Sequence, residues 1–252
     1  AEIIDGLSPD GTLILNGDNP HTDFIKSLAG KRSVLTFGEA TGCDVQIIRT
    51  EAHAAGGTVT LEVAGEEIDV TLSVPGEHWF YNSAACLAVA KAAGLDLTKA
   101  AKAMAEVGPA QGRGDSHALT LSGKSFTLID ESYNANPTSM RAAFAAASLR
   151  PGRKIAVLGD MGELGPKELE FHAELAEPLE KAGFERIIFK GECMRVLRGA
   201  IPRMMRGAWT DSAEGVFSAL KDEIKDGDIV LVKGSNAAGL GALVKKLKEG
   251  AH

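Results

Sequence analysis

The sequence predicts an α/β fold whose second half is a doubly wound, mostly parallel sheet. Three observations carry this. Short apolar runs at 154–158, 186–189 and 228–232 have the length and composition of buried strands. Helical patterns alternate with them: 168–182, with Leu169, Ala173, Ala176 and Leu179 at three-to-four spacing; 212–224, opened by Asp211 or Ser212; and 240–247. The chain is 44% hydrophobic and only 5% aromatic, so its core must come from Ala, Val, Leu and Ile. Strands alternating with helices imply a parallel sheet covered on both faces, a Rossmann-like arrangement.

The first half reads differently. Runs at 11–15 and 33–37 are strand-like. Segments 44–49, 58–63 and 68–73 alternate apolar and polar residues and are joined by glycines, which predicts a small antiparallel sheet. An Ala-rich helix over 79–93 follows, then a shorter one near 98–107. Residues 2–7 read as the end of a helix. The Gly108-Pro-Ala-Gln-Gly-Arg-Gly114 stretch is the linker, and it predicts domains at 1–113 and 114–252.

Charge excludes one class of partner. Residues 1–113 carry 8 Lys+Arg against 15 Asp+Glu, and residues 114–252 carry 19 of each. This is no basic nucleic-acid binder. Arg195, Arg198, Arg203 and Arg206 read as a solvated face. No apolar stretch approaches the roughly 20 residues of a membrane span. The start lacks a signal peptide's basic and apolar regions, and Cys43, Cys86 and Cys193 lie far apart; a reducing cytosol is expected. No His/Cys spacing suggests a metal site.

The most informative stretch is Asp130-Glu-Ser-Tyr-Asn-Ala-Asn-Pro137. It follows the apolar run 126–129 and precedes a helix start at Thr138. Polar residues between a strand and a helix are where α/β proteins place ligands. Lys233-Gly-Ser-Asn236 closes another strand and belongs to the same crevice. Gly123-Lys124-Ser125 lacks the glycine a phosphate loop needs at position 118, so a hairpin turn at Ser122-Gly123 is expected. Gly159-Asp-Met-Gly-Glu-Leu-Gly165 is not the dinucleotide spacing, and its acids would repel a pyrophosphate. Arg113, between two glycines, has the planar fork that suits phosphate. His172 reads as a structural residue inside a helix, and His78 and Asn82 as caps or packing at a helix start.

Together these segments resemble the Mur ligase family. The resemblance rests on Leu15-Asn-Gly-Asp-Asn19, Pro75-Gly-Glu-His78 with Asn82, Gly112-Arg-Gly114, Asp130 with 132–140, 157–165 with His172, and Val232-Lys-Gly-Ser235. The runs at 133–137 and 158–165 favour the member that adds D-Ala-D-Ala over siblings that add Glu, Ala or a diamino acid. The resemblance implies a partial central ATPase domain followed by the C-terminal Mur ligase domain. It implies an ATP-dependent amide ligase acting through an acyl phosphate, with UDP-N-acetylmuramoyl-tripeptide and D-Ala-D-Ala as substrates, in a cytoplasmic monomer. His78, Asn82, Arg113 and Asp130 would bind ATP. Arg113 and Lys233 would serve catalysis, and Ser132, Tyr133, Asn134, Asn136 and Ser235 would bind substrate in a cleft between the halves. The phosphate loop, the Mg2+ ligands and the family's modified lysine would lie before Ala1, so the chain alone is expected to be inactive. Trp79 stands where many relatives have Asn, and Asn236 where Arg is common. A diamino-acid-adding or folylpolyglutamate ligase, a nucleotide-binding oxidoreductase and a non-catalytic binding module are the alternatives.

Overall fold

The computed structural model describes residues 2–250. It divides into two compact units between Gly108 and Pro109. This is earlier than the 113/114 boundary expected from the glycines. Local hydrogen bonds explain the offset: the Gly114 N–H donates to the Asp130 carbonyl (2.9 Å) and the Tyr133 N–H to the Gly112 carbonyl (3.1 Å). Arg113 and its glycines are thereby fastened to the second unit.

The first unit contains β1 (Thr12–Asn16), α1 (Thr22–Leu28), β2 (Ser33–Gly38), β3 (Val45–His53), β4 (Gly56–Val63), β5 (Glu66–Leu72), α2 (His78–Ala92) and α3 (Leu97–Met104). The expected helix at 2–7 is only a 3-10 turn, Glu2–Ile4. The expected antiparallel strands are β3, β4 and β5, and they continue the two parallel ones. The five strands form one sheet in the order β1-β2-β3-β4-β5, parallel as far as β3 and antiparallel beyond it. The parallel seam pairs Phe37 with Val45 and Gly38 with Gln46. A side chain extends it: the Asp44 carboxylate accepts from the Thr36 N–H (2.8 Å) and hydroxyl (3.0 Å). Val59, Leu61, Val63 and Val70 point into a core closed by Phe80, Ala84, Leu87 and Ala88 of α2. Gly57 makes this packing possible, because a Cβ there would stand 2.8 Å from the Phe80 ring.

The second unit contains β6 (Asp115–Leu121), β7 (Lys124–Glu131), α4 (Pro137–Ser148), β8 (Lys154–Gly159), α5 (Glu168–Ala173), α6 (Ala176–Lys181), β9 (Phe184–Lys190), α7 (Met194–Ala200), β10 (Arg206–Thr210), α8 (Ala213–Glu223), β11 (Asp228–Lys233) and α9 (Leu240–Glu249). Its sheet runs β10-β9-β8-β11-β7-β6, and only β6 is antiparallel. Strand alternation builds two cores. Ala156, Leu158, Leu231 and Phe189 pack with Phe144, Leu179 and Leu197 on one face. Ile155, Val157, Val230 and Ile188 pack with Val216, Leu220 and Leu243 on the other. This is the doubly wound α/β fold.

Ser122 and Gly123 both have positive φ, 53° and 75°, as a tight hairpin between right-twisted strands requires. Lys124 donates to the Ile224 carbonyl (2.8 Å), so the phosphate-loop look-alike is a turn. The single helix expected over 168–182 breaks into α5 and α6. Pro178 is the cause: its ring would clash with the carbonyl four residues earlier and it offers no N–H. Strand β10 carries no apolar alternation, whereas α7 has Met194 and Leu197, with Ile201 at its C-cap, at helical spacing, a pattern the sequence reading passed over between arginines. Of the arginines expected on a solvated face, Arg195, Arg198 and Arg203 are exposed, whereas Arg206 is half-buried and donates to the carbonyls of Gly199 (2.9 Å) and Ile201 (2.8 Å), capping α7.

Candidate functional site

The adjacent strands β7, β11 and β8 end together, and their carboxyl ends carry the polar residues singled out by sequence. Ligands bind at this edge in open α/β sheets. Asp130, at the end of β7, is only 1% exposed. Its Oδ1 accepts from the Ser132 hydroxyl (2.6 Å) and N–H (3.1 Å). Its other oxygen faces Lys248 Nζ of α9 at 3.5 Å. The carboxylate is therefore oriented from one side and charge-balanced from the other.

Lys233, the last residue of β11, has a side chain only 2% exposed. Its Nζ lies 3.3 Å from Glu131 Oε2 and donates to the Asn134 carbonyl at 3.0 Å. Burial pushes the Lys233 ammonium below its ordinary range, and Glu131 opposes this. Burial likewise raises Glu131, with Lys233 opposing. The pair is held together because neither charge tolerates that site alone.

Arg113 lies on the surface with its guanidinium 4.3 Å from the centre of the Tyr133 ring. Gly112, Asp130, Ser132, Tyr133, Asn236 and Lys248 help line a cavity of about 760 Å³ in this unit. Of the predicted residues, Arg113, Asp130, Ser132, Tyr133, Asn134 and Lys233 come together here. Asn136 is exposed, and its Oδ1 accepts from the Ser139 N–H (2.8 Å) and caps α4. Ser235 is buried and its N–H donates to the Asp160 carbonyl (2.9 Å). The crossing of the β8 and β11 ends is tight: a Cβ on Gly159 would lie 2.6 Å from that of Ala238.

Glu131 and Lys248 were not expected. Both act through residues distant in sequence, so no local pattern marks them. Asp160, His172 and Cys193 also converge, with potential ligand atoms within 4.8 Å of one another. Two of the three already have structural tasks. His172 is fully buried; its Nε2 accepts from the Met161 N–H (3.0 Å), and Nδ1 lies 2.7 Å from the Glu168 carbonyl and must therefore donate. Asp160 caps α7 through the Met194 N–H (2.9 Å). Burial, with Asp160 next, pushes the Cys193 thiol up to about 11.

In the first unit, His78 opens α2 and its ring centroid lies 5.6 Å from that of Trp79. Asn82 is exposed one turn further on. A second cluster centres on Asp18, a residue of the 15–19 motif to which the sequence reading gives no role. The Asp18 carboxylate accepts from the N–H groups of Glu39 (2.8 Å) and Ala40 (2.7 Å), joining the loops after β1 and β2. Burial, with Glu39 and Asp18 beside it, raises the Tyr81 phenol to about 12.

Family models match both units: the Mur ligase middle domain over residues 1–90, and the Mur ligase, glutamate ligase domain over residues 118–236. The chain belongs to the Mur ligase family. It is 31% identical over 255 residues to the UDP-N-acetylmuramoyl-tripeptide–D-alanyl-D-alanine ligase of Escherichia coli, covering 98% of this chain and 54% of that protein. The enzyme of the same name from Bacillus subtilis is 30% identical, with 98% and 53% covered. The crystal structure of the D-alanyl-D-alanyl ligase from Acinetobacter baumannii superposes with a TM-score of 0.84 at 26% identity, covering 98% of this chain and 53% of that one. The chain thus spans about half the length of the relatives it matches. Among the described residues no helix is long and apolar enough to cross a membrane.

Proposed function

We propose that the chain is the nucleotide-facing part of an ATP-dependent amide ligase that joins D-Ala-D-Ala to UDP-N-acetylmuramoyl-tripeptide in the cytoplasm. The observation that carries this is the Gly112-Arg113-Gly114 strap bonded to the Asp130–Tyr133 segment. It places a phosphate-type fork and a buried, oriented carboxylate on one rigid segment. A carboxylate acceptor suits ribose hydroxyls, and a guanidinium suits phosphate oxygens.

In this reading the tripeptide carboxylate attacks the γ-phosphorus of ATP and ADP leaves. The resulting acyl phosphate is attacked by the dipeptide amine, and inorganic phosphate leaves. Asp130 holds the ribose and Arg113 the phosphates. His78 and Asn82, in the first unit, are assigned to the adenine. Lys233 sets the charge at the end of β11, Asn134 and Ser235 offer polar contacts to substrate, and Ser132 and Asn136 hold the Asp130 carboxylate and the α4 start in place. Arg113 offsets charge that develops on the transferring phosphoryl group.

The family also implies Mg2+, a hard cation that takes oxygen ligands in octahedral geometry. The Asp160–His172–Cys193 group does not fit it. It offers one carboxylate, a raised thiol and an imidazole whose two nitrogens are engaged. No step is assigned to the metal from these residues.

The test is ADP release by the full-length protein that carries this chain. Release should require both the tripeptide precursor and D-Ala-D-Ala, and Asp130→Asn should raise KM for ATP. Equal release with a diamino acid as acceptor, or tight NADH binding without any response to ATP, would refute the assignment.

A further inference from the structure

We infer that Tyr133 is the positioning residue for Arg113: its ring is the platform that holds the guanidinium ready for an anion. This rests on the reading in which Arg113 meets the nucleotide phosphates, and it assigns Tyr133 a task other than touching the substrate peptide.

The backbone makes the first part of the argument. Gly112 has φ +74° and Gly114 φ +91°, a conformation that side chains disfavour. A Cβ on Gly112 would lie 3.1 Å from the Tyr133 N and Cβ atoms. The two main-chain bonds that strap the loop flank Arg113 on either side. The Arg113 and Tyr133 backbones are therefore fixed relative to each other before any ligand arrives.

The side chains complete it. An exposed arginine on a flexible loop samples many rotamers, and ordering it opposes binding. Here the guanidinium rests 4.3 Å from the ring centroid, which removes much of that freedom in advance. Stacking uses the ring face and leaves the N–H edge free to meet a phosphate. Tyr133 is 54% exposed, so the core does not need it. Its neighbours in the run are committed to other tasks: Ser132 to Asp130, and Asn136 to the α4 cap. A large exposed ring held by strapped backbone, with a cation on its face, fits a platform.

The platform needs the ring and not the hydroxyl. In the full-length protein, Tyr133→Phe should keep wild-type KM for ATP and for D-Ala-D-Ala. Tyr133→Leu should raise KM for ATP roughly three- to fivefold, as expected for losing a cation–π contact at an exposed site, and leave KM for the dipeptide alone. In an Arg113→Ala background, Tyr133→Leu should add nothing, because the two residues act as one unit. NMR of the chain gives an independent readout: the Arg113 Cδ protons should show an upfield ring-current shift that Tyr133→Leu abolishes and Tyr133→Phe retains. A rise in dipeptide KM with ATP KM unchanged would overturn the proposal in favour of direct substrate contact. Additive effects of the two substitutions, or no ring-current shift, would overturn it as well. If Arg113→Ala leaves ATP KM unchanged while the shift is present, it is the nucleotide reading beneath the proposal that has failed.

Discussion

Replacing Lys233 with Met keeps the length and apolar stem of the side chain but deletes the ammonium. Glu131, with 18% of its side chain exposed, then loses the partner that opposes its desolvation. The Asn134 carbonyl loses a 3.0 Å hydrogen bond at the same time. Breaking a buried pair by removing one member costs about 3–5 kcal/mol. For a unit of this size that is a fall in Tm of roughly 10–20 °C. The penalty should depend on pH. Glu131 already has a raised pKa when folded, and losing Lys233 raises it further. The folded variant then binds that proton more tightly than the unfolded chain does, so its stability recovers as pH falls through the folded value. The deficit should be larger at neutral pH than close to the ordinary carboxylate range. Thermal unfolding followed by circular dichroism under both conditions measures it. Adding Glu131→Leu to the variant should restore most of the loss, because an apolar replacement of a whole buried pair is often close to neutral. A Lys233→Met protein that melts with the wild type, or a deficit independent of pH, would refute the reasoning.

Two more outcomes follow from local geometry. Asn136→Ala removes the capping box of α4 and should destabilise the second unit by ~1 kcal/mol, with Asn136→Ser restoring most of it in urea denaturation. Cys193, raised to about 11 by burial and by Asp160, holds almost no thiolate near neutral pH. Iodoacetamide should therefore label exposed Cys86 well before Cys193, as followed by mass spectrometry, and equal rates would contradict the environment described.

Legibility in the sequence followed range. The turn after β7 stood out because two acids, a hydroxyl, a phenol and two amides follow an apolar run. Buried strands of the second unit read clearly because β11 is buried throughout and its four central residues, 229–232, are an unbroken apolar run. The hairpin at Ser122-Gly123 was legible from two residues. Glu131 was not marked as a partner of Lys233 because 102 residues separate them. Lys248 carries no local signal; only the fold of α9 places it against Asp130. Strand β10 was illegible because its sequence, Arg-Gly-Ala-Trp-Thr, is shaped by close approach. A Cβ at Gly207 would lie 2.6 Å from the Ile187 carbonyl oxygen. The join of β2 to β3 was missed because the Asp44 side chain does part of a main-chain task.

Strand β11 sits between β7 and β8 although it follows every other strand of that sheet in the sequence. Until residues 228–233 have left the ribosome, β7 and β8 have no common neighbour, and the hairpin and the three strands β8 to β10 are separate pieces with open edges. The growing chain must carry those edges exposed to solvent, where unpaired strands attract other chains. Removal of the final two dozen residues would therefore not trim the domain; it would leave two half-sheets that have nothing to close on. The same late strand delivers Lys233 to Glu131, so the polar pair at the site's edge forms only when the sheet itself is complete.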